Sequence, residues 1–281
     1  MKFLNFLCLV AILALSLSCK QQPKAETARF VVLSPEVAEI LCELGAEEDI
    51  VGITTECNYP SSLASKPIVG SFSSINKEQI IAVKPGIIFC SALEQEGAAA
   101  DLKKLGYRVE VVYPKSLAML SQEILRIGKL IGKEPEARAL NLKMDSELAE
   151  LKAKNTNKPR PRVYLEIYRD PLMSVSDASF VGELIETAGG DNLFPTLERD
   201  YARVNPEAVI KAKPEIMICF SRDTLQNIIS RKGWQDIPAI QSKSIYFERE
   251  INPDLIQRAT PRCIEGIRAL QVIFDAWRAK P

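Results

Sequence analysis

Short apolar runs alternate with amphipathic segments along most of the chain. Bounded apolar runs of this kind are typical of strands buried on both faces of a parallel sheet. The segments between them have helical spacing, and they begin at Ser-Pro or Asn-Pro and end at Gly or Lys-Pro, which favour helix starts and stops. The predicted strands are 30–33, 50–54, 87–90, 108–112, 163–167, 216–220 and 244–247. Strands that alternate with helices predict an α/β fold with parallel sheets.

The middle of the chain has a different pattern. Apolar residues keep helical spacing through residues 117–155, with a break at Gly132 and Pro135. We therefore predict two similar parallel-sheet, Rossmann-like lobes joined by a single long helix. The N-terminal lobe is 29–116, the connecting helices are 117–158 and the C-terminal lobe is 159–281. A ligand cleft is expected between the lobes, at the carboxyl ends of the strands.

One motif occurs twice, once in each predicted lobe. Residues 76–90 and 205–219 align without a gap, and seven pairs are identical. In each copy an Asn caps a short helix, a Glu in the first turn favours the helix dipole, and Lys-Pro ends the helix before a buried strand. The identical pairs are Asn76/Asn205, Glu78/Glu207, Ile81/Ile210, Lys84/Lys213, Pro85/Pro214, Ile87/Ile216 and Cys90/Cys219. The repeat supports two related lobes.

The N-terminus has the pattern of an export signal. Lys2 precedes an apolar run that is short for a membrane span, which predicts a signal peptide over 1–18. The run ends in Leu-Ser-Leu-Ser-Cys, and this ending resembles a bacterial lipoprotein lipobox with Cys19 as the lipidated residue. Residues 19–28 are then a lipidated tether. The alternative is ordinary signal-peptide cleavage without lipid.

Composition narrows the possible functions. The chain has 36 basic and 36 acidic side chains, so its net charge gives no argument for nucleic acid as a partner. It has no His, which removes the commonest general base and the commonest metal ligand. It also lacks a G-x-S-x-G motif and a phosphate-binding loop. We therefore expect no catalytic residue, no resident metal and no cofactor.

The order of several motifs resembles one family. The chain has, in this order, Ser34-Pro35 after the first strand, Tyr59-Pro60, the Glu78 motif, a long connecting helix, the Glu207 motif and the segment 258–262. This order resembles that of the helical-backbone substrate-binding proteins of ABC importers. These proteins serve the uptake of cobalamin, iron–siderophores and haem. The resemblance covers about 29–278 and is greatest to the cobalamin-binding members.

The resemblance implies partners and a location. Glu78 and Glu207 would each dock into an Arg-bearing pocket on one subunit of a permease dimer, which works with an ATPase. The protein would be an exported monomer, anchored through Cys19 and facing the periplasm or the cell exterior. Its ligand would be a small-molecule metal chelate, cobalamin or another corrinoid, with an iron–siderophore or haem as the alternative.

The resemblance also implies which residues line the cleft. By position these are Tyr59, Phe72, Cys90, Tyr168, Tyr201, Asp254, Leu255 and Arg262. Core packing is the alternative for each aromatic residue. Four arginines could meet an anionic siderophore or propionates, or could instead be solvated: Arg199, Arg203, Arg258 and Arg262. Cys90 and Cys219 end equivalent strands and are expected to face the cleft. An enzyme or chelatase, and a surface sensor, remain alternatives of other classes.

Overall fold

The computed structural model describes residues 28–92 and 95–280. The predicted signal peptide, Cys19 and the tether as far as residue 27 lie outside the described residues. Within the described ranges, no helix combines the length and the hydropathy that would let it cross a bilayer.

The N-terminal lobe is built on a four-stranded parallel sheet in the order β2-β1-β3-β4. Its strands are β1 (Phe30–Val32), β2 (Ile50–Ile53), β3 (Ile87–Ser91) and β4 (Val109–Val112). All four lie within a residue or so of the predicted apolar runs. Three helices accompany them: α1 (Pro35–Glu43), α2 (Lys77–Ala82) and α3 (Glu96–Lys104). Two short 3₁₀ turns, Glu47–Asp49 and Ser61–Ser65, complete the lobe.

Two packed helices connect the lobes. They are α4 (Leu117–Ile131) and α5 (Glu134–Lys154), and the break predicted at Gly132 separates them, with Gly132 in the left-handed conformation at φ 74°. The side chain of Asn141 on α5 donates a hydrogen bond of 2.8 Å to the Ser121 carbonyl on α4, so the two helices run antiparallel. At about 1.5 Å per residue, α5 is roughly 30 Å long, which is enough to reach from one lobe to the other.

The C-terminal lobe repeats the parallel arrangement. Its main sheet has the order β11-β10-β5-β8, and every pairing is parallel. Its strands are β5 (Arg162–Glu166), β8 (Asp191–Asn192), β10 (Ile216–Cys219) and β11 (Ile245–Phe247). Its helices are α6 (Phe180–Thr187), α7 (Pro206–Ala212), α8 (Leu225–Ser230), α9 (Pro238–Gln241), α10 (Asp254–Gln257) and α11 (Cys263–Arg278).

A small antiparallel sheet distinguishes the C-terminal lobe from the N-terminal one. Strand β7 (Leu172–Val175) lies between β6 (Tyr168–Arg169) and β9 (Tyr201–Arg203). These strands are not predicted from the sequence, because two to four residues are too few for an alternating pattern to be recognised. The sheet brings Tyr201 and the preceding Asp200 to the junction of the lobes.

Hydrophobic packing joins the lobes. One cluster of buried residues includes one face of the N-terminal sheet (Val32, Phe89), the connecting helices (Ile124, Leu151) and one face of the C-terminal sheet (Leu165 and others). The opposite face of each sheet has its own smaller cluster, around Ile80 and Leu102 in the N-terminal lobe and around Trp234 in the C-terminal lobe.

The repeated motif has nearly the same backbone in both lobes. Asn76 and Asn205 cap α2 and α7 by accepting hydrogen bonds from backbone N–H groups, at 3.0 and 2.8 Å. Lys84 and Lys213, each just before a Pro, adopt positive φ angles of 46° and 49°. The chain turns back at these lysines into β3 and β10, so the sequence repeat is also a structural one.

Candidate functional site

The candidate site is a cleft between the lobes, at the carboxyl ends of β1, β2 and β4. It has an inner part that reaches the C-terminal lobe at Phe180 and Tyr201, and an outer part beside α10. Glu36 and Gln257 line both parts. The outer part is an open hollow of about 420 Å³, within the range of small-molecule sites, and the inner part is a narrow pocket of about 30 Å³. We refer to both parts together as the cleft.

Two tyrosines and one ion pair line the inner part. Lys115 and Asp200 form an ion pair of 2.8 Å between the lobes, and the Tyr113 hydroxyl lies 3.5 Å from the same carboxylate. Burial, together with Asp200, raises the pKa of Tyr113 to about 12, and burial also raises the pKa of Tyr201. Both phenols therefore stay protonated at neutral pH. The Tyr113 proton is directed at Asp200, which leaves the Tyr113 oxygen able to accept a hydrogen bond from a ligand.

Three carboxylates (Glu36, Glu56 and Asp254) and an aromatic ring line the outer part. Glu36, in the first turn of α1, accepts a hydrogen bond of 2.5 Å from the Ser34 hydroxyl, and Glu56 accepts one of 2.7 Å from the Phe72 backbone N–H. The Gln95 amide donates to the carbonyls of Leu33 and Phe72, at 2.8 and 3.0 Å. These hydrogen bonds fix the Phe72 loop against the end of β1, so the ring of Phe72 has a set position at the cleft wall.

A buried ion cluster lies where the lobes meet. Glu39 on α1 is 2% exposed and accepts hydrogen bonds from Arg262, at 2.6 and 2.8 Å, and from Arg258, at 3.2 Å. Arg258 also pairs with Asp254 at 3.1 Å. Burial alone lowers the pKa of Arg262, but the hydrogen bonds and charge of Glu39 outweigh burial and raise that pKa. The cluster ties the segment before α11 to the N-terminal lobe.

Arg262 is therefore placed differently from the expectation that it meets a ligand anion. Its guanidinium lies 3.6 Å from the centre of the Tyr59 ring, as in a cation–π interaction, while its donors face Glu39. Tyr59 is 41% exposed, so its other face is open to solvent. Asp254 lines the outer part of the cleft beside its partner Arg258. Arg199 and Arg203 are exposed.

The two cysteines do not face the cleft. Cys90 is fully buried among Ile80, Ala99 and Leu102, in the smaller cluster of the N-terminal lobe. Cys219 is 2% exposed and packs in the cluster around Trp234. Burial raises the pKa of Cys90 to about 11, and burial also raises the pKa of Cys219. The expectation that they line the cleft is wrong for Cys90, because its side chain points into the layer between sheet and helices. Cys219 packs in the corresponding layer of the C-terminal lobe and also borders a hollow at the ends of β10 and β11, outside the cleft defined above.

The remaining predicted cleft residues are scattered. Tyr168 on β6 is 54% exposed. Leu255 is half-buried in α10, and its carbonyl faces Gly266 of α11. Of the eight predicted cleft residues, the structure brings Phe72, Tyr201 and Asp254 to the cleft, with Tyr59 beside it.

Several residues that line the cleft are not predicted from the sequence. They are Glu36, Glu56, Tyr113, Lys115, Asp200 and Gln257. The first four follow the carboxyl ends of β1, β2 and β4, which is where a parallel sheet places its ligand-binding side chains. That position is the signal that could have identified them.

A second buried carboxylate belongs to the C-terminal lobe alone. Glu166 ends β5 and is fully buried. Arg231 donates to both of its oxygens, at 2.6 and 2.8 Å, and Ser221 donates to one at 2.6 Å. Arg231 also stacks on Trp234, 4.4 Å from the ring centre. Because these bonds satisfy the carboxylate within the lobe, we assign Glu166 a structural role.

Glu78 and Glu207 occupy matching positions outside the cleft. Each lies in the first turn of its helix, α2 or α7, and each is exposed. In the described part of the chain, neither carboxylate takes part in an ion pair. Two equivalent carboxylates, one on each lobe, are therefore available to basic groups of another protein.

Cysteine and metal chemistry give no further site within the described residues. Cys42, Cys57, Cys90, Cys219 and Cys263 are all free thiols there. The same ranges contain no group of three or more Cys, Asp or Glu side chains placed to hold a metal ion.

Two parallel-sheet lobes with a ligand-sized cleft between them define a bilobal solute-binding protein. The profile of the family described as periplasmic binding protein matches residues 30–250. The chain belongs to this family.

Curated relatives agree with this class over most of the chain. An uncharacterized ABC transporter substrate-binding lipoprotein of Bacillus subtilis is 28% identical over 255 residues, which is 88% of this chain and 80% of that protein. The vitamin B12-binding protein of Vibrio vulnificus is 27% identical over 249 residues, which is 86% of this chain and 88% of that protein.

Solved structures share the fold. The periplasmic vitamin B12-binding protein of Vibrio cholerae has a TM-score of 0.78 at 20% identity, covering 90% of this chain and 98% of its own. The periplasmic haem-binding protein RhuT of Roseiflexus also has a TM-score of 0.78, at 21% identity, covering 89% of this chain and 99% of its own. With the family match over residues 30–250, the chain belongs to the ABC transporter substrate-binding proteins, a class that works with a permease, an ATPase and a small-molecule ligand.

Proposed function

We propose that the protein captures cobalamin or a related corrinoid in its cleft and delivers it to a two-fold permease. The observation that carries the choice of ligand is the similarity to the vitamin B12-binding protein of Vibrio vulnificus, which extends over 86% of this chain. The outer part of the cleft supports this proposal, because Phe72 offers aromatic surface to a flat chelate there, and the hydroxyl-bearing Tyr113 and Tyr201 line the narrow inner part behind it.

Delivery uses Glu78 and Glu207 as docking residues. Carboxylate–arginine pairs are charge-assisted and can be bidentate, so they suit contact between two proteins. One such carboxylate on each lobe matches a permease with two equivalent subunits. The exposure of both side chains and their matching positions support this role. A surface sensor would have no need for paired acidic groups, and capture needs no catalytic group, so we propose transport rather than catalysis.

The proposed location is the outer face of a membrane, with the monomeric protein held by lipid on Cys19. The name of the Bacillus subtilis relative, a substrate-binding lipoprotein, supports this proposal.

Haem or an iron–siderophore is the alternative ligand, because the haem-binding protein RhuT shares the fold to the same degree. A titration of the purified protein with cyanocobalamin, cobinamide, haem and a ferric siderophore, followed by calorimetry, tests the choice. We expect tight binding of the corrinoids. Tight binding of a siderophore or haem with no binding of either corrinoid would refute the proposed ligand.

A further inference from the structure

The arginines nearest the cleft direct most of their donors at groups of the protein itself. Arg262 gives Nε and Nη2 to Glu39, and its flat face lies on the Tyr59 ring. Arg258 gives Nη1 to Glu39 and to Asn58, at 3.2 and 2.8 Å, and Nη2 to the Glu56 carbonyl at 3.2 Å. A carboxylate is best bound by a free guanidinium fork, so these two side chains are poorly suited to hold one.

The charges of these arginines are also compensated. Glu39 faces both guanidiniums, and Asp254 lies 3.1 Å from Arg258. In the inner part of the cleft, Lys115 is paired with Asp200. The cationic side chains at the junction of the lobes are therefore matched by carboxylates of the protein itself.

Two further carboxylates in the cleft have no such partner. Glu36 accepts from the Ser34 hydroxyl and Glu56 from the Phe72 backbone N–H, but neither belongs to an ion pair within residues 28–92 and 95–280. Both line the outer part of the cleft, and Glu36 also lines the inner part. They give the cleft an excess of negative charge.

The C-terminal rim does not offset this charge. Arg222 and Arg249 line a separate hollow at the ends of β10 and β11, together with Asp223 and Glu248. Asp223 is paired with Arg169 and Arg231, and Arg249 with Glu250. One positive and one negative side chain, Arg222 and Glu248, remain without an ion pair within the described residues, so that hollow is balanced.

We infer that the cleft selects a neutral or cationic chelate whose rim carries amide N–H donors, and that Glu36 and Glu56 discriminate against chelates with peripheral carboxylates. The inference rests on the proposed function, since it names the charge class of the ligand for the same cleft. The carboxylates accept hydrogen bonds from amide N–H groups but repel anions, because like charges brought together in a partly desolvated site are unfavourable.

Two corrinoids with the same ring provide the test. Cobinamide carries amides around the corrin ring and is cationic in its diaqua form, whereas cobyrinic acid carries carboxylates at the same positions. Calorimetry with the purified protein should show that cobinamide binds more tightly by about 100-fold or more, which corresponds to about tenfold for each of two ligand carboxylates brought close to Glu36 and Glu56. Raising the salt concentration should reduce this difference in affinity between cobinamide and cobyrinic acid.

Variants assign the selectivity to the two side chains. Glu36→Gln/Glu56→Gln keeps the shape of both side chains and should reduce the preference for cobinamide by about tenfold or more. Glu48→Gln, at the amino end of β2 and away from the cleft, should leave the preference unchanged. Thermal unfolding of each variant checks that it is folded.

The outcomes separate the inference from the proposed function. If cobyrinic acid binds as tightly as cobinamide, or if the double variant keeps the full preference, the inference is wrong while the corrinoid function stands. If haem, with its propionates, binds tightly and corrinoids do not bind, both the inference and the choice of ligand are wrong.

Discussion

Arg262 donates two hydrogen bonds to Glu39 across the junction of the lobes, from Nε to Oε2 at 2.8 Å and from Nη2 to Oε1 at 2.6 Å. The carboxylate is 2% exposed, and the two residues are 223 positions apart in the chain. These hydrogen bonds therefore join α1 to the residue that begins α11.

Glu39→Ala should be strongly destabilising. The substitution leaves the guanidiniums of Arg258 and Arg262 without their shared carboxylate, and removal of one partner from a buried ion pair costs about 3–5 kcal/mol. Urea unfolding measures the loss. Glu43→Ala, an exposed position of the same helix, is the matched control and should change the free energy of unfolding by less than about 0.5 kcal/mol. Equal effects of the two substitutions would contradict the role of the cluster.

Glu78→Arg/Glu207→Arg should abolish uptake and leave ligand affinity unchanged. The two side chains lie outside the cleft, and the reversed charge would repel basic pockets on the permease. Uptake by cells that carry only the variant is the measurement, with calorimetry for affinity. Exposed acidic residues elsewhere provide the control Glu48→Arg/Asp236→Arg, which should transport normally. Normal uptake by the first variant would show that docking does not use this pair.

Stability should fall between about pH 9 and pH 11 because of buried thiols. Burial raises the pKa of Cys57 and Cys90 from 9.0 to about 11. Between these values the folded protein keeps protons that the unfolded chain has lost, so the free energy of unfolding decreases as the pH rises. Each thiol contributes a slope of up to about 1.4 kcal/mol per pH unit. This stabilisation is complete below about pH 9 and is lost as the pH approaches 11.

Urea unfolding at a series of pH values measures that slope. Cys90→Ala removes one of the thiols, so its stability should fall less steeply with pH than that of the unsubstituted protein. An unchanged slope would mean that Cys90 is not protonated preferentially in the folded state.

Gly128→Ala should weaken the contact between α4 and α5. A Cβ added at Gly128 would overlap Ala137 Cβ and would lie 2.9 Å from the Lys133 carbonyl oxygen, so the helices would have to move apart. Overpacking of this kind costs about 1–3 kcal/mol. Gly97→Ala is the matched control, because a Cβ at Gly97 of α3 meets no atom within 4 Å. The control should be neutral or more stable by about 0.5–1 kcal/mol. If Gly97→Ala unfolded at a lower temperature than Gly128→Ala, this packing would be contradicted.

Much of the fold follows from local patterns. Strands such as 87–91 and 216–219 are bounded apolar runs, and the caps Asn76 and Asn205 form as their positions predict. The small sheet around β7 was not predicted, since its strands depend on pairing with one another rather than on a pattern within each. Local sequence thus identifies the elements that are buried on both faces and misses those defined by long-range pairing.

The cleft was predicted less well for two physical reasons. The sequence shows that Arg262 is near a helix start, but it cannot show that Glu39 lies opposite, because the pairing depends on how the lobes meet. Cys90 ends a strand, yet the direction of its side chain depends on which face of the sheet each helix covers. A strand that is apolar on both faces gives no local indication of that direction.

The hydrophobic cluster that runs from one sheet through α4 and α5 to the other has a consequence for unfolding. Neither lobe can lose its half of that cluster without exposing the apolar surface of the other. The two lobes should therefore unfold together as one cooperative unit. Calorimetry should show a single thermal unfolding transition rather than one for each lobe.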